Sequence, residues 1–401
     1  MERIVVIGAG QAGASLVAKL RASGFAGKIS LIGQETVPPY QRPPLSKAYL
    51  LGEMALERLF LRPASFYAEH DIDLHLGAPV TAIDRAARTI AVGGQVLAYD
   101  QLALTTGTVP RTLPAAMGGA LAGVHTVRTL ADVDAMAPEF VAGRQLVIIG
   151  GGYIGLEAAA VAAKRGLDVT VVEMAPRILQ RVAAPQTSDA IRALHLSHGV
   201  RILENTGLAA LEGADRVTAV RLTTDEVLPA DFVIAGIGVL PDTALAEAAG
   251  LYLENGIAVD AQGRTSDHTI WAAGDCASFP WRGQRLRLES VQNAIDQAEL
   301  VAQNMLGAGL AYDPMPWFWS DQYDLKLQIA GLNLGYDHVA VRDAAGVRSH
   351  WYYAGDKLLA VDALNDPRAF MLAKRLIAAG RSPDPAQVTD PATDLKSLLQ
   401  Q

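Results

Sequence analysis

The stretch Arg3-Ile4-Val5-Val6-Ile7-Gly8-Ala9-Gly10-Gln11-Ala12-Gly13 opens the chain, and Gln145-Leu146-Val147-Ile148-Ile149-Gly150-Gly151-Gly152-Tyr153-Ile154-Gly155 repeats its pattern further along. Each copy is a β-branched run, then glycines, then a helical pattern. The spacing predicts a helix over about 12–22 that stops at Ser23-Gly24, and another over about 154–164 that stops at Gly166. An apolar strand follows each, Lys28 to Ile32 and Asp168 to Val172. Two strand–helix–strand units predict parallel sheets. The expected fold is α/β: two Rossmann-like dinucleotide-binding domains plus a C-terminal α+β domain.

Outward from these units the pattern changes. Val37-Pro38-Pro39-Tyr40-Gln41-Arg42-Pro43-Pro44-Leu45-Ser46-Lys47 is too proline-rich for a strand and reads as a stiff, ordered loop. Residues 76–100 alternate like a small antiparallel sheet, and 101–105 read as a strand running into Thr106-Gly107-Thr108. A similar meander is expected over 200–227, then a strand over 232–235. Another over 269–273 ends in Gly274-Asp275. After Pro314-Met315-Pro316 the chain turns aromatic and predicts a third module of strands, closed by a helix near 369–379.

Composition narrows the class. The chain has 401 residues, half of them hydrophobic and 19% charged, enough for sizeable cores in two to three domains. Its net charge of −8 argues against nucleic-acid binding, which rewards excess Lys and Arg. No uncharged apolar run approaches the ~18 residues of a membrane span, although mean hydropathy is +0.19. No secretory leader is expected, and a single cysteine, Cys276, fits a reducing cytoplasm. One cysteine also forbids an intrachain disulfide and a cysteine-only metal or iron–sulfur site, so no metal ligands are assigned.

The glycines carry the first chemistry. In Gly8, Gly10 and Gly13 the first permits a tight turn, the second lets the backbone approach a pyrophosphate, and the third packs helix on strand. The helix N-terminus then faces the negative charge. Glu35, 22 residues after Gly13, is placed to accept bonds from a ribose diol. Gly150, Gly152 and Gly155 repeat the arrangement, with Glu173 as the acid 18 residues on. Two dinucleotide folds in one chain imply a flavin dinucleotide facing a nicotinamide dinucleotide, joined by hydride transfer. Glu173 would hold the adenosine 2′-hydroxyl and repel a 2′-phosphate, which favours NADH, although Arg177 and Arg181 follow closely.

The sequence resembles the flavin-dependent pyridine-nucleotide oxidoreductases, and within them the NADH-dependent ferredoxin reductases of bacterial oxygenase systems. The carriers are Pro39-Tyr40-Gln41-Arg42-Pro43-Pro44-Leu45-Ser46-Lys47, Thr106-Gly107, Gly150-Gly151-Gly152-Tyr153-Ile154-Gly155-Leu156-Glu157, Gly274-Asp275 and Trp317-Phe318-Trp319-Ser320-Asp321-Gln322-Tyr323. The resemblance implies a glutathione-reductase-like architecture. In it 1–110 and 237–314 form an FAD-binding domain in two parts, 111–236 bind NAD, and 315–401 form the C-terminal domain. It also implies that Asp275 binds the ribityl chain, that Arg42, and more weakly Arg111, lie near the FAD phosphates or adenine, and that Thr106 and Gly274 belong to the same site. The helix opening at Val291 would face the flavin pyrimidine, Tyr153 would cover the flavin face beside Ile154, and Trp319 would lie close to the cofactors. Lys47 and Glu157 would form an ion pair beside the flavin and nicotinamide; they are the catalytic pair expected here.

Relatives that reduce disulfides route electrons through cysteine, but this chain offers Ser46 and Lys47 where such a cysteine would sit. FAD would therefore take two electrons as hydride from NADH and release them singly to a [2Fe-2S] ferredoxin feeding a cytochrome monooxygenase or ring-hydroxylating dioxygenase. No histidine is needed for acid–base work; His198 and His268 read as surface or packing. Arg285 and Arg287, beside Arg282, are the expected ferredoxin-docking residues, with Lys374 and Arg375 as further candidates. A monomer or weak dimer is expected. Two other readings stay open: a reductase of a small-molecule acceptor, and an apoptosis-inducing-factor-like flavoprotein that switches conformation for partner binding.

Overall fold

The computed structural model describes residues 2–344 and 346–399, which divide into two compact units. The first comprises Met1–Arg42, Ala55–Val109 and Val239–Pro314; the second comprises Pro43–Met54, Pro110–Gly238 and Met315–Gln401.

In the first unit five parallel strands lie in the order Ile270–Ala272, Gln101–Leu104, Arg3–Ile7, Lys28–Ile32, Ile72–His75. The register pairs Arg3 with Lys28 and Ile4 with Gln101. Successive side chains on a strand face opposite sides. Ile4 and Val6 therefore enter one core with Leu16, Leu20, Ala298 and Val301, from the helices Gln11–Ala22 and Val291–Met305. Val5 and Ile7 enter a second core with Leu104, Ile257 and Phe279. A sheet buried on both faces explains why this strand reads as an unbroken apolar run. The expected antiparallel meander is present at Val80–Asp84, Thr89–Val92 and Gln95–Ala98.

The second unit holds another five-stranded parallel sheet, ordered Arg201–Leu203, Asp168–Val172, Gln145–Ile149, Phe232–Ala235, Val124–His125. Arg201–Leu203 corrects the sequence reading. It is no part of the meander but pairs parallel with Thr170–Val172 after the helix Pro185–Ser197, a crossover whose polar pattern concealed it. The antiparallel meander is confined to Leu208–Glu212, Ala219–Leu222 and Val227–Pro229. The aromatic segment forms a five-stranded antiparallel sheet ordered Trp317–Gln322, Leu325–Gly331, Lys357–Leu364, Val347–Ala354, His338–Ala344. The helix Pro367–Ala378 closes over it with Phe370, Leu372 and Leu376, capped by the Asp366 carboxylate on the Ala369 N–H. The proline loop of this unit tightens into one 3₁₀ turn, Pro43–Ser46, seated beside the helix Tyr153–Lys164.

Candidate functional site

The first unit builds a dinucleotide cradle where its central strand ends. Gly8 takes φ +112°, and a Cβ there would stand 2.2 Å from the Thr105 carbonyl oxygen. A Cβ on Gly13 would stand 2.0 Å from the Gly8 carbonyl oxygen, so the helix presses directly on the turn. A Cβ on Gly10 would meet nothing within 4 Å. Gly10 caps the helix Gln11–Ala22 without a side-chain acceptor, leaving its first N–H groups facing that open space. Beyond the next strand, Glu35 accepts the Tyr40 hydroxyl at 2.6 Å and the Arg42 guanidinium at 2.7 Å, and Arg42 also reaches the Tyr40 hydroxyl at 3.0 Å. A tight glycine turn, an uncapped helix end and an anchored carboxylate fit a flavin adenine dinucleotide.

The other expected first-unit residues border this frame. A Cβ on Gly274 would touch that of Ala12 at 3.0 Å, so Gly274 lies against the first helix, and its N–H donates to the Gln297 side chain at 2.9 Å. Asp275 is half-buried, and its carbonyl accepts Arg287 at 3.1 Å. Val291 begins a helix that Ser290 caps through the Asn293 N–H. Thr106 spends its hydroxyl on the Asp242 carbonyl at 2.6 Å. Cys276 is fully buried, its Sγ against the carbonyls of Leu104 and Ala273, and burial pushes the thiol up.

The second unit repeats the cradle. Gly150 takes φ +108° against the Gly236 carbonyl, a Cβ on Gly155 would stand 2.4 Å from the Gly150 carbonyl oxygen, and Gly152 faces open space. Glu173 is pinned by two backbone donors, the Gly151 N–H on Oε2 and the Ala175 N–H on Oε1, both at 2.7 Å. Arg177 is tied to the Ser188 hydroxyl at 2.6 Å. Ile154 lies exposed on the first helical turn, and the Tyr153 ring packs on Phe318 at 4.8 Å. The Tyr153 hydroxyl is buried without a partner, and burial holds its pKa well above the usual phenol range.

Lys47 and Glu157 meet within this unit. The turn Pro43–Ser46 delivers Lys47 Nζ to 2.9 Å from Glu157 Oε1, the side chains being 19% and 6% exposed. Glu157 also accepts the Ser46 hydroxyl on Oε2 at 2.8 Å and the Ser320 hydroxyl on Oε1 at 2.7 Å. Three donors hold a buried carboxylate with a cation on one flank. From sequence, Ser46 is singled out only as standing where a redox cysteine would sit, and Ser320 is assigned no role. The available signal was a small polar residue directly after three rings, Trp317-Phe318-Trp319, on a predicted strand.

The remaining candidates make the following contacts. Arg111 is exposed and contributes a backbone N–H to the Gly238 carbonyl. Trp319 lies in a row of rings, 5.6 Å from Trp317 and 6.5 Å from Phe318. Arg285 and Arg287, the expected docking residues, also make contacts within the first unit. Arg285 donates to the Val259 and Ser278 carbonyls and pairs with Glu254; Arg287 pairs with Glu289 and is 11% exposed. Both bind backbone carbonyls and exposed acids, Glu254 being 52% and Glu289 43% exposed, partners that a short basic run does not reveal. Lys374 rests over Trp317 at 4.6 Å.

Residues 2–298 match the family described as pyridine nucleotide-disulphide oxidoreductase, and residues 317–399 match a reductase C-terminal domain. The chain belongs to the pyridine nucleotide-disulphide oxidoreductase family. It is 44% identical over 402 residues to rhodocoxin reductase of Rhodococcus erythropolis, covering 99% of this chain and 94% of that protein. It is 41% identical over 408 residues to putidaredoxin reductase of Pseudomonas putida, covering 99% and 97%. Among solved structures, the covalent putidaredoxin reductase–putidaredoxin complex superposes with a TM-score of 0.96 at 41% identity, covering 100% of this chain and 98% of that one. The family takes its name from disulfide chemistry, yet this member carries one sealed cysteine and the Lys47–Glu157 pair.

Proposed function

We propose that this chain is an FAD-dependent NADH:ferredoxin oxidoreductase, serving a [2Fe-2S] ferredoxin that feeds a cytochrome monooxygenase or ring-hydroxylating dioxygenase. Its bound flavin takes a two-electron hydride and gives electrons up singly. The protein's share is to bind, orient and supply charge. The cradle at Gly8, Gly10 and Gly13, with Glu35 and Asp275, holds FAD. The cradle at Gly150, Gly152 and Gly155, with the pinned Glu173, holds NADH and disfavours a 2′-phosphate. Lys47, steadied by Glu157, supplies a fixed cation for the charge that hydride transfer brings in. A reducing cytoplasm suits the lone thiol; among the described residues no helix is long and apolar enough to cross a membrane.

The observation that carries the reading is the pairing of two open glycine cradles with a single fully buried cysteine. Such a chain has sites for both dinucleotides and no thiol relay. Anaerobic stopped-flow tests it: NADH should bleach the flavin quickly, and an added [2Fe-2S] ferredoxin should restore its colour. A reduced enzyme that only quinones discharge would support the small-molecule reductase instead, and one that no acceptor discharges would support a conformational switch.

A further inference from the structure

The strand Trp317–Gln322 places Ser320 and Gln322 two residues apart on one buried face, each 1% exposed. From them a line of hydrogen bonds runs into the catalytic pair. His195, 0% exposed on the helix Pro185–Ser197, has Nε2 at 2.7 Å from Gln322 Oε1. Gln322 Nε2 donates to Ser320 Oγ at 3.1 Å, and Ser320 Oγ donates to Glu157 Oε1 at 2.7 Å. The far nitrogen of His195 faces the Tyr323 hydroxyl at 3.4 Å.

The bonds share one polarity. An amide whose oxygen faces His195 requires the proton on Nε2. Its nitrogen then faces Ser320, which frees the serine proton for Glu157. Every donor points toward the carboxylate that holds Lys47. Burial lowers the His195 pKa, so the ring stays neutral at neutral pH, with one proton and one defined tautomer.

We propose that His195, acting through Gln322 and Ser320, is a positioning residue for Glu157, and through it for the Lys47 ammonium, in the NADH-to-flavin step. The proposal rests on the reading of Lys47 and Glu157 given above. No proton is consumed or released along the line. It sets the direction of the Ser320 hydroxyl and hence the orientation of the Glu157 carboxylate. A histidine that merely filled space would be replaceable by any side chain of its volume; here a donor is needed at the Nε2 position.

The test uses the FAD-loaded full chain and compares His195→Leu, which deletes the donor, with His195→Gln, whose amide nitrogen replaces Nε2. Three quantities are read: the limiting rate of flavin reduction with the NADH dissociation constant, the flavin midpoint potential, and the ¹⁵N signal of the Lys47 ammonium. H195L should lower the limiting rate ~10-fold, the worth of one buried hydrogen bond, with NADH binding unchanged. It should also shift the potential negative and lose the ammonium signal to solvent exchange, while H195Q restores all three. If H195L does not retain FAD, Ser320→Ala reads the same line at its other end. Unchanged rate and ammonium signal in H195L, or equal loss in H195L and H195Q, overturns the proposal. Lys47→Ala in the same assay separates the two claims. If K47A reduces normally, the reading of the pair fails and the proposal with it; if K47A is slow while H195L is not, only the positioning role falls.

Discussion

Lys47 Nζ and Glu157 Oε1 stand 2.9 Å apart in a pocket of low exposure, the one delivered by a proline-tightened turn and the other by the first turns of a helix that begins in a glycine cradle. The contact joins the turn Pro43–Ser46 to the helix Tyr153–Lys164 that follows the second glycine cradle. It gives the unit a fixed cation without a reactive thiol.

Removing that cation should be costly twice. Lys47→Ala leaves Glu157 with two hydroxyl donors and an uncompensated charge, a loss of roughly 3 kcal/mol, near the low end for a buried pair because Lys47 keeps some solvent. The limiting rate of flavin reduction by NADH should fall on the order of 100-fold, as for loss of one preorganised electrostatic contact. Urea unfolding and single-turnover absorbance measure the two effects.

Cofactor choice should follow Glu173. Facing a 2′-phosphate at ~4 Å, a carboxylate contributes on the order of 4 kcal/mol of repulsion per unit charge, less after salt screening. Glu173→Gln removes the charge and keeps an acceptor for one of the two backbone N–H groups now bound. The NADH-over-NADPH ratio of kcat/KM should shrink on the order of 100-fold, the remnant of that repulsion after screening. An unchanged ratio would move the discrimination elsewhere.

The thiol should be idle. Cys276 is fully buried and its pKa is raised by burial, so little thiolate forms. Cys276→Ala should keep full ferredoxin turnover at a stability cost of about 1 kcal/mol. The native enzyme should react with a thiol-titrating disulfide reagent only after unfolding.

Stability should carry a pH signature from a second buried cluster. Asp362 accepts the Thr187 hydroxyl at 2.6 Å and the Tyr352 hydroxyl, and burial raises it from 3.8 to about 6. Its stabilising contribution is complete below about 3.8 and disappears as pH rises through about 6. His350, 2.7 Å from the same Thr187 hydroxyl, is lowered by burial to about 4; its contribution is complete above 6.5 and lost as pH falls through about 4. The two oppose each other in between. In Asp362→Asn only the histidine slope remains. The stability of D362N relative to the parent should therefore improve by on the order of 3 kcal/mol between pH 4 and pH 7.5, read from urea midpoints.

Local rules made the architecture legible. Gly8, Gly10 and Gly13 are forced by a turn, a ligand approach and a helix contact within a few residues of each other, and the second set obeys the same demands. Strand limits such as Lys28–Ile32 followed from the hydrophobic period, and a single cysteine settled the absence of a disulfide relay by counting. What depended on folding were relationships across sequence distance. In the basic run before the last helix of the first unit, folding sets which carbonyls and acids Arg285 and Arg287 bind. Ser46 lies in the proline motif, Ser320 and Gln322 in the aromatic one and His195 in neither, yet their partners were hidden, because a hydroxyl, an amide or an imidazole is tied to one partner only when burial removes water. Composition and spacing determined which elements form and which cofactors they suit; only the tertiary packing decided which polar side chains lost their solvent and therefore had to bind each other.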